Sequence, residues 1–297
     1  MRYQDVIPAV FLERPNRFVA RVATEAGPLT VHVKNTGRCR ELLTPGASVY
    51  VARSGDPARR TAGDLIAVQK GRRLINMDSQ APNRVVGEAL RDGLLLPGMD
   101  GPAVLVRPET TWGDSRLDFY IQYPCGAQTA PAPSATLPQP ATLPQPATLP
   151  QPATLPQPVT FPQPATFPQP AALPQPGGQP SLCPSAGLRQ GFIEVKGVTL
   201  EEGGAVYFPD APTQRGIKHV EELERLAAAG YEAWLLFVVQ MEGAAYFAPN
   251  DRTHPAFGQA LRRAQRAGVR LCAYDCLVEP DTLRLYSPVE IRLDLGL

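Results

Sequence analysis

Hydrophobic and polar positions alternate along much of the first 80 residues, and again near 115–123 and 191–198. Alternation of this kind marks half-buried strands. It predicts strands at Val10–Leu12, Arg17–Thr24, Leu29–Lys34, Ser48–Ala52, Leu65–Gln69 and Arg73–Asn76, divided by turns at Ala26-Gly27-Pro28 and Gly71. Five or six short strands in a row predict a small β-barrel. Asn83–Arg91 reads as a short helix ending at Gly93. In the last third the period lengthens. Thr213–Ala229 places Ile217, Val220, Leu223 and Ala227 on one helical face, and Gly230 stops it. A continuously apolar strand follows at Ala233–Gln240, then a helix at Pro255–Ala267 and a strand at Val269–Val278. Strand, helix and strand in that order imply a mixed or parallel sheet with helices on its faces. The expected fold class is therefore α/β, in the broader α+β sense, behind an N-terminal β-barrel. No helix-turn-helix is expected, because the chain becomes β-like after Gly268.

Between the two alternating runs Ser115–Tyr123 and Gly191–Val198 the pattern vanishes. Residues 135–176 are seven hexads of the form A-T-L-P-Q-P, varied at Val159, Phe161, Phe167 and Ala172. Proline at two of every six positions removes amide donors and excludes helix and sheet interior. The whole segment 126–188 is expected to be a disordered insertion, extended or coiled. A passive repeat and a partner-binding tether both fit it. Within the hexads no P-x-x-P spacing arises. The flanking runs are expected to be neighbouring strands whose connecting turn has swollen. Loop-closure entropy grows only logarithmically, so the expansion costs roughly 2–3 kcal/mol. The expected organisation is a barrel over residues 1–80, an α/β domain over 81–125 and 189–297, and the insertion between the two parts of the latter.

The chain of 297 residues is 43% hydrophobic and 19% charged, an ordinary soluble balance. It has no apolar run long enough to span a bilayer, and Asp5 and Glu13 interrupt its N-terminus, so neither a membrane partner nor a signal peptide is expected. Five cysteines without a C-x-x-C pair read as reduced thiols of a cytoplasmic protein. The net charge of +1 hides an asymmetry: residues 1–80 carry 13 Lys and Arg against 7 Asp and Glu, and the remainder is net acidic. A basic first part suggests an anionic partner, although a solvated surface accounts for the same numbers. Only Lys34, Lys70, Lys196 and Lys218 are lysines, against 25 arginines. Lysine kept amid such a bias suggests sites that need a compact ammonium.

Candidate chemistry gathers beside the insertion. Asp118 lies mid-strand. Glu194 and Lys196 are two apart on the next strand and share a face. Two carboxylates meeting there suit a hard divalent cation, Mg²⁺ or Mn²⁺. Lys196 could orient water or stabilise a phosphate. A surface Glu–Lys pair would read the same way. Glu88 on the preceding helix and Glu109 in an expected turn before Asp118 are further candidate metal ligands. Gln240, ending a core strand, is a candidate cleft residue. Arg14, Arg17, His32, Lys34, Arg38 and Arg40 are candidate phosphate contacts of the barrel. Arg215 and Lys218, with His219, stand at a helix start that suits a phosphate. Phe11 and Phe18 are expected in the barrel core, which leaves little base stacking and little sequence preference.

The wording of several segments resembles the bacterial sugar fermentation stimulation protein A family. They are Arg14–Phe18, His32–Arg38, Asn83–Gly93, Ser115–Phe119, Glu194–Leu200, Phe208–Thr213, Arg215–His219 and Phe237–Gln240, in that order. The resemblance covers nearly everything outside the hexads, which depart from the family pattern. It implies an OB-like barrel joined to a restriction-endonuclease-like core of the PD-(D/E)XK type. Asp118, Glu194 and Lys196 stand at the catalytic positions, and Leu117 replaces the proline. It also implies DNA binding with little sequence preference and a regulatory role in sugar, particularly maltose, utilisation. Two readings follow: a Mg²⁺-dependent nuclease, and a non-catalytic DNA-binding regulator that keeps the nuclease fold. A sugar-binding protein, suggested by the family name, lacks a stacked-aromatic pocket in the sequence.

Overall fold

A computed structural model describes residues 1–35, 37, 39–113, 115–126 and 187–294. The A-T-L-P-Q-P repeats, Arg38 and Cys183 lie outside the described residues. Six strands open the chain: β1 (Val6–Asn16), β2 (Val19–Thr24), β3 (Gly27–Val33), β4 (Ser48–Arg53), β5 (Gly63–Lys70) and β6 (Arg73–Asn76). They pair in the order β3-β2-β1-β4-β5-β6, and β3 also pairs parallel with β5, His32 opposite Asp64. That extra pairing closes β1 to β5 into a five-stranded barrel. Alternation explains its interior: Phe11, Ala20, Val22, Val31, Val33, Val49, Val51 and Leu65 point inward and are buried. The first strand is longer than the alternation indicates. Pro8 and Pro15 interrupt the pattern, but Pro15 falls where the β1–β2 register slips between Glu13 and Asn16, at a bulge that tolerates it.

The remaining elements are α1 (Ala81–Arg91), β7 (Leu105–Trp112), β8 (Ser115–Pro124), β9 (Leu188–Val198), β10 (Leu200–Glu202), β11 (Ala205–Phe208), α2 (Gln214–Ala228), β12 (Glu232–Val239), β13 (Phe247–Pro249), α3 (Pro255–Arg266), β14 (Arg270–Glu279) and β15 (Thr282–Pro288). Six of the strands form a mixed sheet in the order β15-β14-β12-β9-β8-β7. Its centre is parallel, β9 with β12 and β12 with β14, and its flanks are antiparallel. β10, β11 and β13 form a small separate sheet. The two runs flanking the insertion pair antiparallel down to Pro124 opposite Leu188, and Cys125 N–H donates to the carbonyl of Gly187 at 2.8 Å. The hairpin is thus closed at its base beside the insertion.

Burial divides β12 cleanly. Ala233, Leu235, Phe237 and Val239 face the cluster containing α2, α3 and the barrel interior. Trp234, Leu236 and Val238 face the cluster containing α1. Gly191 of β9 must lack a side chain, because a Cβ there would run into the Trp234 ring. Thr213 caps α2 by accepting from Gly216 N–H at 2.9 Å, and Pro255 starts α3. Among the described residues no helix is long and apolar enough to cross a membrane.

The barrel and the mixed sheet share one hydrophobic cluster. Polar bonds join them as well. Gln240, expected to face the cleft, instead donates to Asn76 Oδ1 at 2.9 Å and to the Asp78 carbonyl at 3.0 Å. It is 1% exposed, so its amide serves the junction and not the cavity. The buried Glu201 carboxylate takes Lys70 and Arg73 of the barrel at 2.7 Å each. Gln240→Met keeps the volume and removes both donors. It is expected to cost about 2 kcal/mol by stranding a buried carbonyl, read as a lower urea midpoint; an unchanged midpoint would show the junction holds without it.

Candidate active site

Asp118 and Glu194 meet where β8 and β9 part. The last registered pair is Phe119 with Ile193. One step on, the backbone ladder gives way to a side chain: Asp118 Oδ2 accepts Val195 N–H at 2.7 Å, and its Oδ1 accepts Asn83 Nδ2 from α1 at 2.6 Å. Glu194 is 2% exposed. Its Oε1 accepts from both Lys196 Nζ and His219 Nδ1. Its Oε2 is buried with no hydrogen-bond partner. An unsatisfied buried carboxylate oxygen is costly, and it marks a place for a cation.

His219 sits one turn after Arg215 on α2, and Arg215 Nε donates to His219 Nε2 at 3.3 Å. With Nε2 accepting, Nδ1 carries the proton given to Glu194. These side chains line a cavity of about 340 Å³ together with Ser79, Glu109, Arg116 and Lys196. The electrostatics are unequal. Burial, followed by the charge of Glu194, raises the Asp118 pKa above the ordinary aspartate value. Burial also acts to raise Glu194, but His219 and Lys196 overcome it and leave its pKa lowered. The two carboxylates are pushed apart in acidity, an arrangement found at functional sites.

The other expected residues scatter. Glu88 pairs with the Met1 amine at 2.7 Å and with Arg84 at 3.4 Å, and lies outside this cavity. Glu109 is not in a turn: it lies within β7 at φ 54°, between the registered pairs Pro108–Phe119 and Thr110–Leu117, hence across from Asp118. It reaches the cavity but is paired with Arg116. Among the described residues no group of three or more His, Cys, Asp and Glu side chains is assembled to hold a metal. The residues that could serve as donors are the two carboxylates of Asp118 and Glu194. That fits Mg²⁺, which keeps several waters and takes one or two protein carboxylates.

The barrel cations are largely committed. Arg14 donates to the carbonyls of Arg17, Asn35 and Gly37. His32, Lys34 and Arg59 surround Asp64, at 3.3, 3.1 and 2.6 Å. Burial would raise the Asp64 pKa; Arg59 and Lys34 lower it. Arg17, Arg40 and Lys218 are exposed, and Lys218 does not line the cavity. Phe11 is core, whereas Phe18 is 51% exposed. Sequence spacing does not reveal the roles of Asn83 or of the bond from His219 to Glu194. Asn83 sat within a recognisable segment, but no local signal pairs it with Asp118, 35 residues away.

A folded-state pKa raised above the unfolded value favours the fold at low pH and is a liability once pH passes it. Asp118→Asn, which cannot ionise, is therefore expected to raise the thermal midpoint of the metal-free chain at neutral pH. The gain should fade on acidification toward about pH 4. A difference that does not vary with pH would remove both the burial of Asp118 and its repulsion by Glu194 from the account.

The chain matches a family profile described as the sugar fermentation stimulation protein RE domain over residues 182–282, and one described as the SfsA N-terminal OB domain over residues 12–77. It is similar to a sugar fermentation stimulation protein homolog of Ruminiclostridium cellulolyticum, with 38% identity over 99% of this chain and 100% of that one. One from Desulfitobacterium hafniense shares 38% identity over the full length of both. Among solved structures, Pyrococcus furiosus SfsA in complex with Ca²⁺ aligns with TM-score 0.69 over 98% of each chain at 21% identity, a likeness of fold.

Proposed function

The chain belongs to the sugar fermentation stimulation protein family, and on that footing we propose that it is a divalent-metal-dependent nuclease acting on DNA with little sequence preference. The observation that carries the reading is the buried, unpartnered Oε2 of Glu194 beside Asp118. The run α1, β7, β8, β9, α2, β12 supports a restriction-endonuclease-like core of the PD-(D/E)XK type, with Asp118, Glu194 and Lys196 as its signature. The Ca²⁺ carried by the Pyrococcus furiosus relative supports a cation site in this fold. The buried free thiols of Cys39, Cys272 and Cys276 support a cytoplasmic setting.

Asp118 and Glu194 Oε2 would hold Mg²⁺ or Mn²⁺. When bound, such an ion supplies positive charge against a phosphate oxygen and lowers the pKa of adjacent water. Lys196 shares Glu194 Oε1 with His219. Its ammonium can therefore turn to the phosphate, where it stabilises developing charge, while His219 keeps the carboxylate in place. Arg215, in the first turn of α2, adds a guanidinium at the cavity mouth, and the helix start favours an anion there. The exposed Arg17 and Arg40 of the barrel are the proposed backbone contacts that remain. A role in sugar, particularly maltose, utilisation would follow through DNA. The second reading is a DNA-binding regulator without catalysis, favoured by the lack, among the described residues, of a cluster of three or more such ligands.

Purified protein is incubated with single- and double-stranded DNA, with and without Mg²⁺ or Mn²⁺, beside Asp118→Ala. Metal-dependent cleavage that falls at least about a hundredfold in the variant is expected, with DNA binding largely kept. Undiminished cleavage by the variant sinks the assignment, and binding without cleavage moves it to the regulator.

His219→Ala is expected to weaken Mn²⁺ binding by about 10- to 100-fold, as removal of a group orienting a ligand does. His219→Asn offers an N–H near the place of Nδ1 and should recover much of the loss. Calorimetric titration reads both, and equal affinities in all three proteins would deny His219 this role.

A further inference from the structure

The cavity does not end at Asp118. A second groove of about 430 Å³ runs from that carboxylate along α1. The two share Asn83, Glu109 and Asp118, so Asp118 borders both. Arg84, Glu88 and Arg91 line its α1 wall, at helical spacing on one face. Gly87 and Phe119 lie beneath them. A Cβ at Gly87 would come within 3.1 Å of Arg91 Nη1 and 3.2 Å of the Phe119 ring, so the missing side chain keeps the groove open.

The wall is positively charged. Glu88 is occupied by the Met1 amine at 2.7 Å, and Arg84 reaches it only at 3.4 Å while staying 60% exposed. Arg91 is exposed and donates Nη1 to the Gly87 carbonyl at 2.9 Å; among the described residues no ion pair ties it to a carboxylate. Arg84 and Arg91 are about 10 Å apart along the helix. On the other side of Asp118 the first cavity presents Lys196, Arg116 and Arg215. Cations therefore flank the paired carboxylates on both sides.

We infer that the α1 groove is a subsite for the DNA sugar-phosphate backbone on one side of the bond presented to Asp118 and Glu194, with Arg84 and Arg91 as its phosphate contacts. The inference rests on the proposed nuclease reading and adds to it the path of the strand.

The test is fluorescence anisotropy of the full chain with labelled single-stranded and duplex DNA in EDTA, over a series of KCl concentrations. Arg84→Ala/Arg91→Ala is compared with Arg266→Ala/Arg284→Ala, which removes equal charge from exposed positions near the C-terminal end of α3 and in β15. The groove variant is expected to flatten the log–log salt slope by about 1.4 on single strands and about 1.8 on duplex. Affinity should fall on the order of tenfold or more at low salt. The control should stay near wild type. Arg84→Lys/Arg91→Lys keeps the charge and should restore the slope, which separates phosphate contact from damage to α1. If the groove variant merely tracks the control, the subsite is overturned and the nuclease reading stands. If the wild-type chain binds neither DNA, the DNA reading falls and the subsite falls with it.

Discussion

The hydrogen bond from Val195 N–H to Asp118 Oδ2, at 2.7 Å, is the contact on which the site depends. It replaces a rung of the β8–β9 ladder with a carboxylate, at the point where the strands separate. The bond orients Asp118 and brings its charge close to Glu194. Burying two acids together is unfavourable, and the structure answers unevenly. Glu194 receives Lys196 and His219 and is held in its charged form, while Asp118 is left with a raised pKa. Glu194 Oε2 is left buried without a hydrogen-bond partner, the feature on which the proposed cation site rests.

Rigidity around the pair comes from the junction between barrel and sheet. One apolar cluster runs from Phe11, Val33 and Leu65 of the barrel to Phe237 of β12 and Leu261 of α3. Gln240 and Glu201 close the polar gaps in that contact. Ser79, which lines the cavity, donates to the carbonyl of Lys34 at the end of β3 at 2.5 Å. The barrel thus forms part of the surroundings of the site and does not hang from it by a flexible tether.

Charge counted along the chain and charge available to a ligand differ. Residues 1–80 are rich in Arg and Lys, yet His32, Lys34 and Arg59 are drawn to Asp64, and Lys70 and Arg73 to Glu201. Arg14 is spent on backbone carbonyls. Arg17, Arg40 and Arg72 are exposed, with no ion pair among the described residues. A net charge is a sum, whereas a binding surface depends on which charges are left unpaired.

Sequence alone determined the helices at 83–91, 213–229 and 255–267 to within about two residues, and the strand pair flanking the hexads. It also placed Glu194 and Lys196 on one face. These are matters of local backbone geometry: periods of 3.6 and 2 are written into neighbouring residues. Strands such as Phe247–Pro249 or Thr282–Pro288 escaped because they are short or interrupted, and their pairing partners lie elsewhere in the chain. Only the tertiary structure decided which acids stayed with the site. Glu88 was claimed by the amine of Met1 and Glu109 by Arg116, Gln240 was turned into the junction, and His219 was brought from 25 residues away to Glu194. A side chain's partner is chosen by register, packing and the competing charges within reach. None of these is fixed until distant segments have met.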